Sequence, residues 1–251
     1  MSATTGLPLE GIRVIDMSRV LAGPFCGFLL AHLGAEVIKV EDPKGDETRV
    51  WGPFTKDMSD SFLALNMNKQ GIVVNLKTPE GVQVIKDMVR DADVLVENFK
   101  TGTMERFGLG YDVLKAINPG LVFTSIAAFG RRGYRAEYPG YETLVQAFSG
   151  IMSFTGMADG EPVRTGVSFL DLSSGLTATL ATLTALYRRK DTGEGGAIEG
   201  SLFQSAVGLM LVQLSPFFQN GLQPKKLGSG HASATPYQAF QTADGWVLIA
   251  A

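Results

Sequence analysis

The sequence predicts an α/β fold built on a mostly parallel sheet, and two observations carry that prediction. Short β-branched runs recur through the first two-thirds of the chain, and helical patterns with their own start and stop signals lie between several of them. The 251 residues, 45% of them hydrophobic, are enough to bury the core such a fold needs.

Taken in order, the strand candidates are residues 12–16 (IRVID), 35–41 (AEVIKVE), 71–76 (GIVVNL), 93–98 (DVLVEN) and 121–126 (LVFTSI). Helical patterns cover 24–33, 79–90 and 111–117. Thr78 before Pro79 marks a helix start, because proline in the first turn forfeits no hydrogen bond. Asn118-Pro119 closes the third helix. Two longer patterns, 171–190 and 201–220, flank the turn KDTGEGG and are apolar on nearly every side, so both are expected to be buried. After a loop-like stretch the chain resumes as two short strands, YQAFQT and WVLIAA, about the turn Ala243-Asp244-Gly245. The expected organisation is a large domain over 1–222, then a linker and the beginning of a smaller domain over 223–251, the chain being a fragment of a longer protein.

Composition excludes several functions. With 22 basic against 25 acidic residues there is no cationic excess to release counterions, so neither a nucleic-acid nor a membrane partner is expected. One cysteine, Cys26, forms no internal disulfide and predicts a reducing compartment, the cytoplasm. One cysteine and two histidines supply too few ligands for zinc, so no metal is expected. Residues 201–220 carry no charge, yet Gln204, Gln213, Ser215 and Pro216 interrupt them, favouring a buried helix over a membrane span.

Between Arg164 and Arg188 the only charged side chain is Asp171. One reading is an N-cap, which an aspartate before an apolar helix commonly supplies. Ser173 and Ser174 are alternative caps, and the preceding TGVSFL is apolar. The second reading is a poorly solvated carboxylate at a helix N-terminus, a competent nucleophile. FGLGYD at 107–112 lacks the third glycine and the strand–helix context of a dinucleotide loop. His32 and His231 read as structural and exposed, respectively. Lys39, Lys69, Lys77, Lys100 and Arg106 fall at or beyond strand ends, where a phosphorylated ligand would lie, although each alone is more often a solvated charge. Arg131, Arg132 and Arg135 crowd one glycine-bearing loop that is either solvated or anion-binding.

Five blocks, in order, resemble the class III CoA-transferases. They are LEGIRVIDMSRVLAGPFCGFLLAHLGAEVIKVEDPKGDETR, LNMNKQGIVVNLKTPEG, ADVLVENFKTGTMERFGLGYDVLKAINPGLVFTSIAAFG, YPGYETLVQAFSGIMSFTG and PYQAFQTADGWVLIA. That family includes formyl-CoA and carnitine CoA-transferases, with α-methylacyl-CoA racemases as relatives. The resemblance implies a Rossmann-like large domain, a smaller second domain, an interlocked homodimer, a chain of roughly 400 residues and coenzyme A, as acyl-CoA, for a substrate beside a carboxylic acid.

Within TGVSFLDLSSG the family's nucleophile corresponds to Asp171. Glu142 in PGYE corresponds to a supporting acidic position. Positions similar to CoA contacts are Val20 and Ala22, Lys77, Asn98 and Phe99, and Arg106. Asp42 stands where some members carry an arginine, which leaves one contact to be replaced. Tyr141 occupies the place of the racemase histidine and is a poor proton shuttle at neutral pH, so CoA transfer is favoured over racemisation. A non-catalytic CoA-binding subunit is the third reading, and an intact Asp171 opposes it. Arg131, Arg132 and Tyr141 are the candidate substrate contacts, and Arg131, Arg132 or Arg135 is expected to recognise a second carboxylate such as succinate's.

Overall fold

A computed structural model describes residues 6–251. In chain order the elements are β1 (Arg13–Asp16), α1 (Ala22–His32), β2 (Glu36–Glu41), a 3₁₀ turn (Glu47–Val50), β3 (Phe54–Thr55), β4 (Met58–Ser59), α2 (Asp60–Asn66), β5 (Lys69–Val73) and α3 (Pro79–Val89). There follow β6 (Val94–Glu97), α4 (Thr103–Arg106), α5 (Tyr111–Ile117), β7 (Val122–Ala127), α6 (Glu142–Ser149), α7 (Ile151–Phe154) and α8 (Phe169–Thr192). The last are β8 (Gly196–Ser201), α9 (Leu202–Leu209), α10 (Leu211–Asn220), β9 (Tyr237–Gln241) and β10 (Trp246–Ala250).

Six strands form one sheet in the order β5-β2-β1-β6-β7-β8, every neighbouring pair parallel. The chain winds outward from β1 to one edge, then returns to the other side of β1 and winds to the opposite edge. This is the doubly wound arrangement, with its switch point between β1 and β6, where sheets of this kind have their ligand crevice beyond the strand ends. Buried Ile15, Val40, Leu95, Phe123, Ile85, Val89 and Leu114 knit β1, β2, β6 and β7 to α3 and α5. Thr78 caps α3 by accepting the Gly81 amide, and Pro79 occupies its first turn.

Two compact groups of residues emerge from the contacts within the chain. One runs through Pro139 and resumes over Leu170–Ser205; it holds the parallel sheet. The other comprises Gly140–Phe169 and Ala206–Ala251; it holds α6, α7 and the antiparallel β9–β10 hairpin. This grouping takes residues 140–169 and 206–222 out of the sheet-bearing part, unlike a single boundary after residue 222.

Two expectations need correction, and one strand was not anticipated. The strand expected over 71–76 is β5 at Lys69–Val73, because Asn75 begins the turn that caps α3. The sixth strand, β8 (GAIEGS), has three glycine or serine positions and no apolar run to announce it, yet it pairs with β7 over six residues. Neither long helix is buried all round within this chain. α8 buries a face of small residues (Ser174, Gly175, Ala178, Thr179, Thr182) and exposes Leu176 and Leu180. The pattern expected over 201–220 gives Ser201 to β8 and breaks into α9 and α10, bent by 71°, with Val212 and Phe218 largely exposed.

By length and composition α8 could cross a membrane, and so could the bent pair α9–α10 counted as one span. The side chains of α8 argue for a core helix instead. Thr182 bonds Thr124 of β7 at 2.7 Å, and Arg189 donates to Asp93 at 2.6 Å and to the Gly120 carbonyl at 2.9 Å.

Candidate active site

The β1–α1 loop and the segment after β6 meet at the switch point. Asn98 bridges them by gripping one residue from both sides: its carbonyl oxygen accepts the Arg19 amide and its amide donates to the Arg19 carbonyl, both at 2.7 Å. The Arg19 guanidinium lies 5.0 Å from the centre of the Phe99 ring. Val20 adopts a left-handed φ of 68°, and Ala22, buried, opens α1. Four of the six expected CoA contacts, Val20, Ala22, Asn98 and Phe99, therefore gather in one place. Arg106 ends α4 and Lys77 lies in the turn before α3; both are exposed and both follow the carboxyl ends of strands.

Asp171 stands in the first turn of α8, not at its N-cap, because the helix begins two residues earlier at Phe169. It is half-buried and sits in the N-terminal turn of a 24-residue helix. One turn further along the same face, a Cβ on Gly175 would stand 2.5 Å from the Ala22 carbonyl oxygen. Only glycine permits that approach, which brings α8 against the start of α1. Asp171 thus lies about 6 Å along the axis from a residue packed on the crevice.

In the second group of residues, Tyr141 is exposed and precedes α6. Glu142 is the first residue of α6 and is buried, its Oε1 accepting from Gln146, which also holds Thr165 through both ends of its amide.

The three arginines of the 131–135 loop behave differently. Arg131 donates to Glu97 at 2.6 Å, to Ser125 at 2.7 Å and to the Phe99 carbonyl at 2.8 Å. Its charge is matched by Glu97, which is buried; burial pushes the Glu97 carboxyl above its ordinary value, and Arg131 opposes that rise. Arg135 lies 5.0 to 5.8 Å from the ring centres of Tyr138, Tyr134 and Phe129. Arg132 is 89% exposed, 3.8 Å from Glu199, at the rim of a cavity of about 320 Å³ that Arg131, Ser125, Tyr111 and Phe123 also line.

Replacing Arg131 and Arg132 should therefore give opposite results. Arg131→Met strands a buried carboxylate and is expected to cost about 3–5 kcal/mol. Arg132→Ala should change stability by less than about 0.5 kcal/mol, as expected for an exposed pair. Chemical denaturation of the two variants checks this; equal losses would refute it.

A further set of charges escaped the sequence reading. Lys69 and Lys39, expected among possible phosphate contacts, are only 1% and 2% exposed and are paired inside the protein. Lys69 donates to Asp16 and to the Pro24 carbonyl at 2.8 Å and to Asn66 at 2.9 Å. Lys39 donates to Asp46 at 2.9 Å. Burial pushes the Asp16 and Asp46 carboxyls up, but the facing lysines, together with hydrogen bonds from Ser18 to Asp16 and from Thr48 to Asp46, hold both below the usual carboxylate range. One signal was available: a lysine inside a strand covered on both faces, as in VIKVE, has to find a partner indoors.

The family profile described as CoA-transferase family III matches residues 9–251. The chain belongs to that family. Succinyl-CoA:glutarate CoA-transferase of Mus musculus is 43% identical over 97% of this chain and 56% of its own length. Succinate–glutarate CoA-transferase of Agrobacterium fabrum is 41% identical, with 97% of this chain and 63% of the relative covered. A CaiB/BaiF family protein from Brucella suis, solved by crystallography, superposes with a TM-score of 0.92 at 41% identity, over 98% of this chain and 66% of that one. The chain spans less than two-thirds of the length of each of these family III relatives.

Proposed function

We propose that this chain carries the CoA-binding sheet and the nucleophile of an enzyme that moves CoA from an acyl-CoA donor to a free carboxylic acid. The carrying observation is Asp171, the only charged residue between Arg164 and Arg188, in the first turn of α8 and one turn from the Gly175–Ala22 contact at the switch point. Family membership and the two named glutarate transferases support the reaction class.

In the proposed sequence a carboxylate oxygen of Asp171 attacks the donor thioester carbonyl and expels CoA thiolate, leaving an aspartyl–acyl anhydride. The thiolate attacks the aspartyl carbonyl and releases the donor acid, forming an aspartyl-CoA thioester. The acceptor carboxylate attacks that thioester, expelling thiolate again and making a second anhydride. Thiolate attack on the acceptor's carbonyl then yields the new acyl-CoA and frees Asp171. Every bond formed is balanced by one broken, with no net proton or electron change. The crevice residues Val20, Ala22, Asn98 and Phe99 would hold CoA, with Lys77 and Arg106 matching its phosphates. Glu142 would support the acyl intermediates by orienting groups near them.

The proposal extends to a dicarboxylate pair, succinyl-CoA with glutarate. The relatives' names and the exposed Arg132 guanidinium support it, and Arg131, tied to Glu97, no longer does. An interlocked homodimer is proposed to cover the exposed Leu176 and Leu180 of α8. Mass analysis after incubation with succinyl-CoA should find acyl or CoA mass on the peptide bearing Asp171, and glutarate should become glutaryl-CoA. Turnover with no such adduct would overturn the covalent route. Equal rates with succinyl-, formyl- and butyryl-CoA would overturn the dicarboxylate assignment.

A further inference from the structure

The β1–α1 loop is held far more tightly than its sequence suggests. The Ser18 amide donates to Asp16 at 3.0 Å. The Ser18 carbonyl accepts Lys39 at 2.8 Å. Both polar groups of the Arg19 backbone are taken by Asn98, and the Val20 amide reaches Asp46 at 3.4 Å. Side chains thus claim five successive backbone groups, and they do so around a β-branched residue at φ 68°, a conformation valine rarely adopts. Asp46 is itself fixed: the Thr48 amide and hydroxyl donate to its Oδ1 at 2.9 and 2.8 Å, and Lys39 donates to its Oδ2. Lys39 and Asp46 are buried and paired, so neither reaches a ligand. Between them they hold the two ends of the Ser18–Val20 segment.

We propose that Lys39 and Asp46 are positioning residues that keep this loop in its left-handed shape before CoA arrives. Val20 and Ala22 then meet the cofactor without ordering on binding. The inference rests on the CoA reading of the crevice and adds a cause for its shape. A merely structural pair would matter to stability alone.

The test compares purified wild-type protein with Lys39→Met/Asp46→Asn. That double change removes both charges of the pair together, leaving neither Lys39 nor Asp46 without its partner, and keeps an acceptor for Thr48. The expected result is a CoA dissociation constant weaker by about tenfold, and a KM for acyl-CoA raised to match, with kcat within about twofold. A dissociation constant within twofold of wild type overturns the inference while leaving the CoA reading intact; a wild-type protein that binds no CoA overturns both. Hydrogen exchange on wild type gives a second measure that needs no variant. The Arg19 and Val20 amides should already be protected without CoA, and slow exchange appearing only after CoA is added would refute preorganisation.

Discussion

Asp171→Asn should abolish transfer while leaving the protein folded and able to bind CoA. The carboxamide keeps the shape of the side chain and loses its nucleophilic oxygen, so kcat is expected to fall by about 10⁴-fold or more. Stability should drop by no more than about 1 kcal/mol, because the lost contribution is one half-buried carboxylate favoured by a helix N-terminus. Asp171→Glu separates chemistry from position. It retains the carboxylate but carries it roughly a bond length further from α8, and a misplacement of about 1 Å is worth about 10²-fold in rate. The expected order is wild type, then Glu, then Asn, in rate and in adduct detected on the Asp171 peptide. Full activity in Asp171→Asn with CoA binding unchanged would move the nucleophile elsewhere and remove the covalent route.

How much of this was legible in the sequence depends on where each signal lives. β1, β2, β6 and β7 announce themselves because parallel strands under two layers of helix read as short apolar runs, here interrupted by Asp16, Lys39 and Glu97, which find partners inside the protein. β8 gave no such signal: it lies at the sheet edge, alternates half-buried with exposed residues, and is recruited by pairing with β7. For α8, an apolar count predicted burial on every side. The middle of the packed side carries glycine, serine, alanine and threonine, since small residues let the helix approach the sheet, with Leu170 and Leu186 buried towards its ends and Leu176 and Leu180 left outside.

The site divides along the same line. Asp171 could be singled out because it is the only charge in a long apolar stretch, and the crevice residues because their motifs resemble a family. The buried pairs could not be assigned from spacing. Asp16 and Lys69 are 53 residues apart and meet only because β1, β2 and β5 are adjacent in the sheet. Arg131 and Glu97, 34 apart, meet across β6 and β7. A charge at a strand end looks the same in sequence whether it faces a phosphate or an inward carboxylate.

Lys69→Met should destabilise the protein by about 3–5 kcal/mol, the expected penalty for leaving a buried charge without its partner. At about 2–4 °C per kcal/mol for a domain of this size, that lowers Tm by roughly 10 °C. The pH dependence identifies the cause. In the wild-type protein burial acts to raise the Asp16 carboxyl, and Lys69, the largest opposing influence, helps hold it below its ordinary value. A carboxyl lowered in this way stabilises the fold above its unfolded value, and that contribution is lost as pH falls through the lowered native one. Without Lys69 the burial effect is opposed only by Lys39 and the Ser18 hydrogen bond, and the native carboxyl is expected to rise above its unfolded value. The sign then reverses: stability is retained at acid pH and lost as pH climbs through the raised native value. Denaturation measured from acid to neutral pH should therefore show the gap between variant and wild type widening upward, and Asp16→Asn in the Lys69→Met background should narrow it. A gap constant with pH would mean that Lys69 contributes packing rather than charge.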